Sequence, residues 1–203
     1  EPVHRVPMKL CYARHEQCNV CCIMRFPVNP TSSCPFCRAP YSCSSTVVES
    51  IPSPFVGHAR SAIVIKPSEG SFENFTLGDD LHTGIADSAG VAHSFWTDGI
   101  VSEDSSWDQS IVIHDLTIPD LDSRLRYFID TQGSLFQAQT YHEREWNCFD
   151  FVINFTQAFH EDPLLTKVDF VSTYVQEPLK RALKYCRLVK EVERRGFIAI
   201  DLS

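Results

Sequence analysis

Leu81-His82-Thr83-Gly84-Ile85-Ala86, then Asp87-Ser88-Ala89-Gly90, then Val91-Ala92-His93-Ser94-Phe95 is the stretch on which the fold of this chain turns. Two short β-type runs flank a turn rich in Asp, Ser and Gly, which is the pattern of a β-hairpin. Side chains alternate across a strand, so His82, Gly84 and Ala86 share one face while Leu81, Thr83 and Ile85 share the other. If Ser88-Ala89 is a two-residue loop, Gly84 pairs with His93, and His93 joins His82 on one face, about 7–8 Å away on the diagonal. A three-residue loop slips the register and sends His93 to the opposite face.

Further strands are expected at Ala62-Ile63-Val64-Ile65, at about Ser110 to His114, and at Phe197-Ile198-Ala199-Ile200. Helical spacing of Leu121, Leu125, Phe128 and Ile129 predicts a helix from Pro119 to about Thr131. A second runs from about Cys148 to His160, and a long one from about Pro178 to Arg195, stopped by Gly196. Strands followed by helices, without regular βαβ alternation, predict an α+β fold. Residues 1–45 form a Cys-rich module, 46–60 a proline-broken linker, and 61–203 the main α+β domain.

Cys148 follows Trp146-Asn147 and opens the second helix. Asn147 is a good N-cap, and Asp150, three residues on, reaches back as in a capping box. Free N–H groups and the helix dipole at that position favour a thiolate. Cys148, Val152, Phe155 and Phe159 then lie on one stripe, so the sulfur points toward whatever the stripe packs on. Such a cysteine is also a common small buried hydrophobe.

The chain has 203 residues, 43% hydrophobic and 22% charged, enough for one main core and a small appendage. Its net charge of -8 and pI near 5.4 argue against nucleic acid as a partner, and a protein partner stays open. No run approaches a membrane span: the densest apolar stretch, Phe149 to Phe159, is broken by Asp150, Asn154 and Gln157. With no signal peptide behind Glu1-Pro2-Val3-His4, the expected location is cytoplasmic or nucleocytoplasmic, and Glu1 is not expected to be the native start.

Seven of the nine cysteines fall between Cys11 and Cys43. Cys18-x2-Cys21 and Cys34-x2-Cys37, twelve residues apart, have the spacing of a four-thiolate structural zinc site. Cys22 competes with Cys21, and Cys11, His15 and Cys43 are substitutes. An odd, clustered set suits metal in a reducing compartment better than a disulfide framework.

His82-x-Gly84-Ile85, Gly90-Val91-x-His93 and Asn147-Cys148-x-x-Phe151-Val152 resemble the lecithin:retinol acyltransferase family, and in outline the PPPDE and NlpC-type peptidases. Asp80-Leu81-His82-x-Gly84-Ile85, Asn147-Cys148, the C-P-x-C at Cys34 and Arg195-Gly196-Phe197 resemble the makorin-2 opposite-strand protein family. The first resemblance implies a circularly permuted papain-like domain, an antiparallel sheet packed on helices. It also implies a thiol hydrolase or acyltransferase acting on an amide, isopeptide or ester, with Cys148 as nucleophile, His82 as general base and His93 orienting it. The chain departs from the acyltransferases at Thr83, Phe149 and Asp150, where they carry Trp, Glu and His. These departures count against a lipid substrate and leave a peptidase, an amidase or a non-catalytic scaffold relative. Asp80, Gln137 and His142 are further polar residues that could assist the site, each read first as an ordinary surface or turn residue, with Asp80 the alternative orienter if His93 faces away. The basic run from Lys180 to Arg195 reads as the solvated face of an amphipathic helix.

Overall fold

The computed structural model describes residues 9–15, 18–29, 31–41, 46–103, 105–159 and 166–201. The chain forms two compact units: Pro54–Leu183, and Glu1–Ser53 together with Lys184–Ser203.

The Pro54–Leu183 unit is built on one six-stranded antiparallel sheet. Its strands are β4 (Phe55–Val56), β5 (Ala62–Pro67), β6 (Leu81–Ala86), β7 (Ala92–Trp96), β8 (Gly99–Glu103) and β9 (Ser110–Asp115), in the order β4-β9-β5-β6-β7-β8. The four apolar residues that open β5 are all buried, as an interior strand covered on both faces requires. The helix α2 (Cys148–Phe159) packs on β6 and β7, and α1 (Leu121–Gln132) packs on α2. Phe95 of β7 meets Phe136, which in turn meets Phe128 of α1 and Phe151 of α2. These rings form the core that the helical periodicity predicts.

The hairpin register differs from the two-residue-loop alternative. Asp87 N donates to Val91 O, and Ile85 pairs with His93. The loop is therefore Ser88-Ala89-Gly90, with Gly90 at φ 95°, where a side chain would be strained. The Asp87 side chain fixes it by accepting from the backbone N–H groups of Ala89, Gly90 and Val91. One extra loop residue moves every β7 side chain to the other face. His82, Gly84 and Ala86 share their face with Ala92, Ser94 and Trp96, while Thr83, Ile85, His93 and Phe95 share the helix-covered one. His93 is thus not on the face of His82.

Trp107 covers the His82 face. A Cβ on Gly84 would stand 2.9 Å from His93 O, 3.1 Å from Trp107 Cη2 and 3.2 Å from Ser94 Cβ, so only glycine fits there. Val64, Ala86, Ala92 and Trp107 make a small apolar cluster beside it.

The other unit holds a four-stranded antiparallel sheet in the order β10-β2-β1-β3, from β1 (Leu10–His15), β2 (Val20–Arg25), β3 (Thr46–Ile51) and β10 (Phe197–Asp201). The stretch 46–60, expected as a linker, carries β3 and β4, and the C-terminal strand pairs with β2 rather than joining the larger sheet. The long helix begins as α3 (Lys167–Phe170), widens to a π turn over Val171–Val175 and continues as α4 (Gln176–Arg195). It ends at Gly196, whose φ of 82° suits glycine and whose N–H closes on Val192 O. No helix among the described residues is long and apolar enough to cross a membrane. The fold is α+β with antiparallel sheets.

Candidate functional site

Cys148 starts α2 as the sequence predicts. Asn147 Oδ1 accepts from Phe149 N at 3.0 Å, and Asp150 Oδ2 accepts from Asn147 N at 2.7 Å, so Asn147 caps the helix through its second residue and Asp150 supplies the returning half of the box. Lys167 ties the box down, with Nζ 2.6 Å from Asp150 Oδ2 and 3.0 Å from Glu145 O.

The thiol turns toward β6. Its Sγ lies 3.9 Å from Leu81 O and faces the Thr83 N–H. Both groups sit on the β7 side of β6, where regular pairing stops after Ile85. Cys148 therefore meets backbone groups that the diverging strand leaves behind, which is a structural use for a small polarizable side chain. It is 3% exposed. Burial pushes its thiol up to about 11, against the lowering effect of the N–H groups of Thr83, Phe149 and Cys148 and of Lys167. Desolvation outweighs the helix terminus here, contrary to the activation expected from position alone.

His82 is also buried. Its ring packs 4.3 Å from Trp96 and 5.5 Å from Trp107, centre to centre, and its Nε2 is 3.0 Å from Ser94 Oγ. Its Nδ1 is buried without a hydrogen-bond partner among the described residues. Burial lowers the imidazole to about 3, and the Lys66 ammonium, across the sheet from it, adds to the effect. Lys66 Nζ sits 4.6 Å over the Trp107 ring and donates to Ser106 O and Oγ. His82 is therefore a neutral imidazole at neutral pH.

His93 has different company. Its Nε2 is 3.4 Å from Asp87 Oδ2 and its Nδ1 is 2.9 Å from Ser102 Oγ. The partner of His82 is Ser94, which sequence reasoning passed over because the choice of loop length hid it. Asp80 and Gln137 are exposed, Gln137 capping a short turn with Thr140, and His142 Nδ1 accepts from Glu145 N within another turn. Tyr141, unremarked in the sequence, packs on Phe95 and Trp96 and is pushed up to about 12 by burial, with Cys148 adding to it.

The Cys-rich front brings Cys18, Cys34 and Cys37 together. Their sulfurs lie within 4.8 Å of one another, close enough to hold a metal ion, with Cys18 and Cys34 3.8 Å apart. Cys34 to Cys37 forms a knuckle: Cys34 N donates to Ala39 O, Arg38 N donates to Cys34 O, and Arg38 takes φ 65°. Neither Cys21, paired with Cys18 by the C-x-x-C spacing, nor Cys22 lies within that distance of all three. Cys21 has Arg14 and Glu49 as charged neighbours, because alternation along β2 turns it to the other face from Cys22. Cys11 points at the carbonyls of Met24 and Arg25. Cys43 and the His15 side chain lie outside the described residues.

The chain belongs to the DUF4796 C-terminal family, whose model matches residues 48–192. It is similar to the human MKRN2 opposite strand protein, at 26% identity over 184 residues, covering 83% of this chain and 81% of that protein. No solved structure matches.

Proposed function

We propose that this protein is a non-catalytic binding or scaffold protein, stapled by a structural zinc ion, that keeps the frame of a permuted papain-like thiol enzyme. The observation that carries this reading is the state of the two residues: Cys148 and His82 are 3% and 5% exposed, no hydrogen bond joins them, the thiol is raised and the imidazole lowered. A working dyad needs the opposite shifts, a thiolate beside an imidazolium or a base poised near neutral pH. Sealed side chains also leave a substrate carbonyl no approach to the sulfur. Zinc is supported by the thiol set and by the knuckle, since soft thiolates select zinc over hard cations.

One observation favours a second reading, a hydrolase or acyltransferase in a closed state. His82 has Nε2 held by Ser94 and Nδ1 unpaired, and the Cys148 sulfur contacts the residues on either side of it. A buried, unpaired nitrogen costs about 1–3 kcal/mol, and catalysis is one reason to retain it. The pH dependence of Cys148 alkylation in wild type and His82→Ala separates the two. Slow labelling with a raised apparent pKa, unaffected by the substitution, supports the scaffold. A pKa below that of a free thiol, lost in His82→Ala, overturns it in favour of the enzyme.

A further inference from the structure

We infer that Cys22, not Cys21, is the fourth ligand of the metal site, so that the set is Cys18, Cys22, Cys34 and Cys37. This rests on the metal reading above and specifies its coordination. A tetrahedral zinc with Zn–S bonds near 2.3 Å has S–S edges of about 3.8 Å. The Cys18–Cys34 separation is 3.8 Å, and Cys37 closes a triangle with them. Three thiolates leave one corner open, and the sheet decides which thiol faces it.

On β2, Cys22 and Met24 share a face. Cys22 pairs with Ala13 on β1, and Ala13 forms one buried cluster with Cys34 and Tyr41, against which Cys18, Met24 and Cys37 pack. On the β10 side, Phe197 pairs with Met24, and its ring meets Phe36 of the knuckle at 6.1 Å. The Cys22 face of the sheet is therefore the face that the knuckle covers. The Cys22 thiol stands beside the Tyr41 hydroxyl and within electrostatic range of Cys34 and Cys18. Cys21, one residue earlier, is turned away toward Arg14 and Glu49. A C-x-x-C reading selects Cys21 by spacing. A strand, unlike a knuckle turn, sends residues one apart to opposite sides, so the first half of the site takes C-x-x-x-C spacing instead. The Val20 N–H, directed at the Cys18 sulfur, supplies the kind of outer hydrogen bond that favours a ligating thiolate.

The test is metal content and cobalt substitution on the full chain, in wild type, Cys21→Ser, Cys22→Ser, Cys22→His and Cys43→Ser. Wild type should bind one zinc per chain, and its cobalt form should show the charge-transfer absorption of four thiolates. Cys21→Ser and Cys43→Ser should leave both unchanged. Cys22→Ser should reduce the charge-transfer intensity to about three quarters and weaken binding, since one of four sulfur ligands is gone. Cys22→His should retain the metal with a three-sulfur, one-nitrogen spectrum, which keeps the test valid if the serine variant folds poorly. A four-thiolate spectrum in Cys22→Ser, with the loss appearing in Cys21→Ser or Cys43→Ser, overturns the assignment of Cys22 alone. A wild-type chain that takes up neither zinc nor cobalt overturns the metal reading, and the ligand assignment with it.

Discussion

Alkylation of Cys148 across pH reads the state of the thiol site directly. The free-thiol reference for this group is 9.0, and burial moves it to about 11. At pH 8 a thiol of pKa 9 is about one-tenth thiolate and one of pKa 11 about one-thousandth, so labelling should be slowed about 100-fold by ionisation alone. Restricted access to a thiol 3% exposed slows it further. Moving the proton from Cys148 to His82 would span the gap between about 11 and about 3, a cost on the order of 10 kcal/mol at about 1.4 kcal/mol per unit. Even ions in contact at about 4 Å would recover only about 4 kcal/mol at an effective dielectric of 20, and no hydrogen bond joins these two residues. The ion pair is therefore unpopulated, and His82→Ala should leave the apparent pKa of Cys148 unchanged. The assay is iodoacetamide labelling from pH 6 to 11, read by peptide mass spectrometry against a free cysteine peptide. A wild-type rate at pH 7 equal to or above the peptide's, with an apparent pKa below 8 that rises in His82→Ala, would refute this reasoning.

The lowered imidazole makes a second prediction with the sign fixed. His82 has a folded value below its unfolded one, so its contribution is present above about 6.5 and is lost as pH falls toward about 3. The loss amounts to about 5 kcal/mol over that window, and urea unfolding of His82→Gln should show a shallower acid decline than wild type. Gly84→Ala should destabilise by about 1–3 kcal/mol in the same assay, because its methyl meets His93 O, Trp107 and Ser94 at 2.9–3.2 Å. Phe136→Ala should cost about 3–5 kcal/mol, since that ring contacts Phe95, Phe128 and Phe151 at once; a loss under 1 kcal/mol would contradict the packing. Asp150→Ala should cost about 1–2 kcal/mol by removing both the cap of Asn147 N–H and the Lys167 ion pair, with Asp150→Asn recovering part of it.

The elements with a strong local signature were legible. The apolar run of β5, the spacing of Leu121, Leu125 and Phe128, the Asn147 cap and the Gly196 stop each have a physical cause within a few residues, and each stands where it was expected. What failed needed information from elsewhere in the chain. The strands β1 and β2 sit in a cysteine-rich stretch whose apolar content reads as metal chemistry. β3, between proline and serine clusters, gains its place by pairing with β1. The C-x-x-C spacing that selects Cys21 presumes a turn, whereas Cys21 lies on a strand and outside the Cys18, Cys34 and Cys37 group. Cys148 was placed correctly on its helix, but the depth of burial that reverses its acidity is a tertiary property that a helix start does not reveal.

The hairpin loop links these outcomes. With a two-residue loop, the imidazole paired to Asp87 would have faced His82 and supplied a chain from carboxylate to His93 to His82. With Ser88-Ala89-Gly90 as the loop, His93 keeps its Asp87 contact on one face of the sheet, and His82 on the other receives only the Ser94 hydroxyl. A hydroxyl can orient an imidazole but supplies no negative charge to hold a proton on it, and Lys66, paired with His82 across β5 and β6, opposes one. The same face carries Trp96 and Trp107, whose rings exclude the water that would otherwise solvate an imidazolium. A neutral His82 cannot in turn lower the Cys148 thiol, and the N–H groups around that sulfur fall short of offsetting its burial. One residue of loop length thus separates the carboxylate from the buried histidine, while burial sets the raised thiol and, with Lys66, the lowered imidazole.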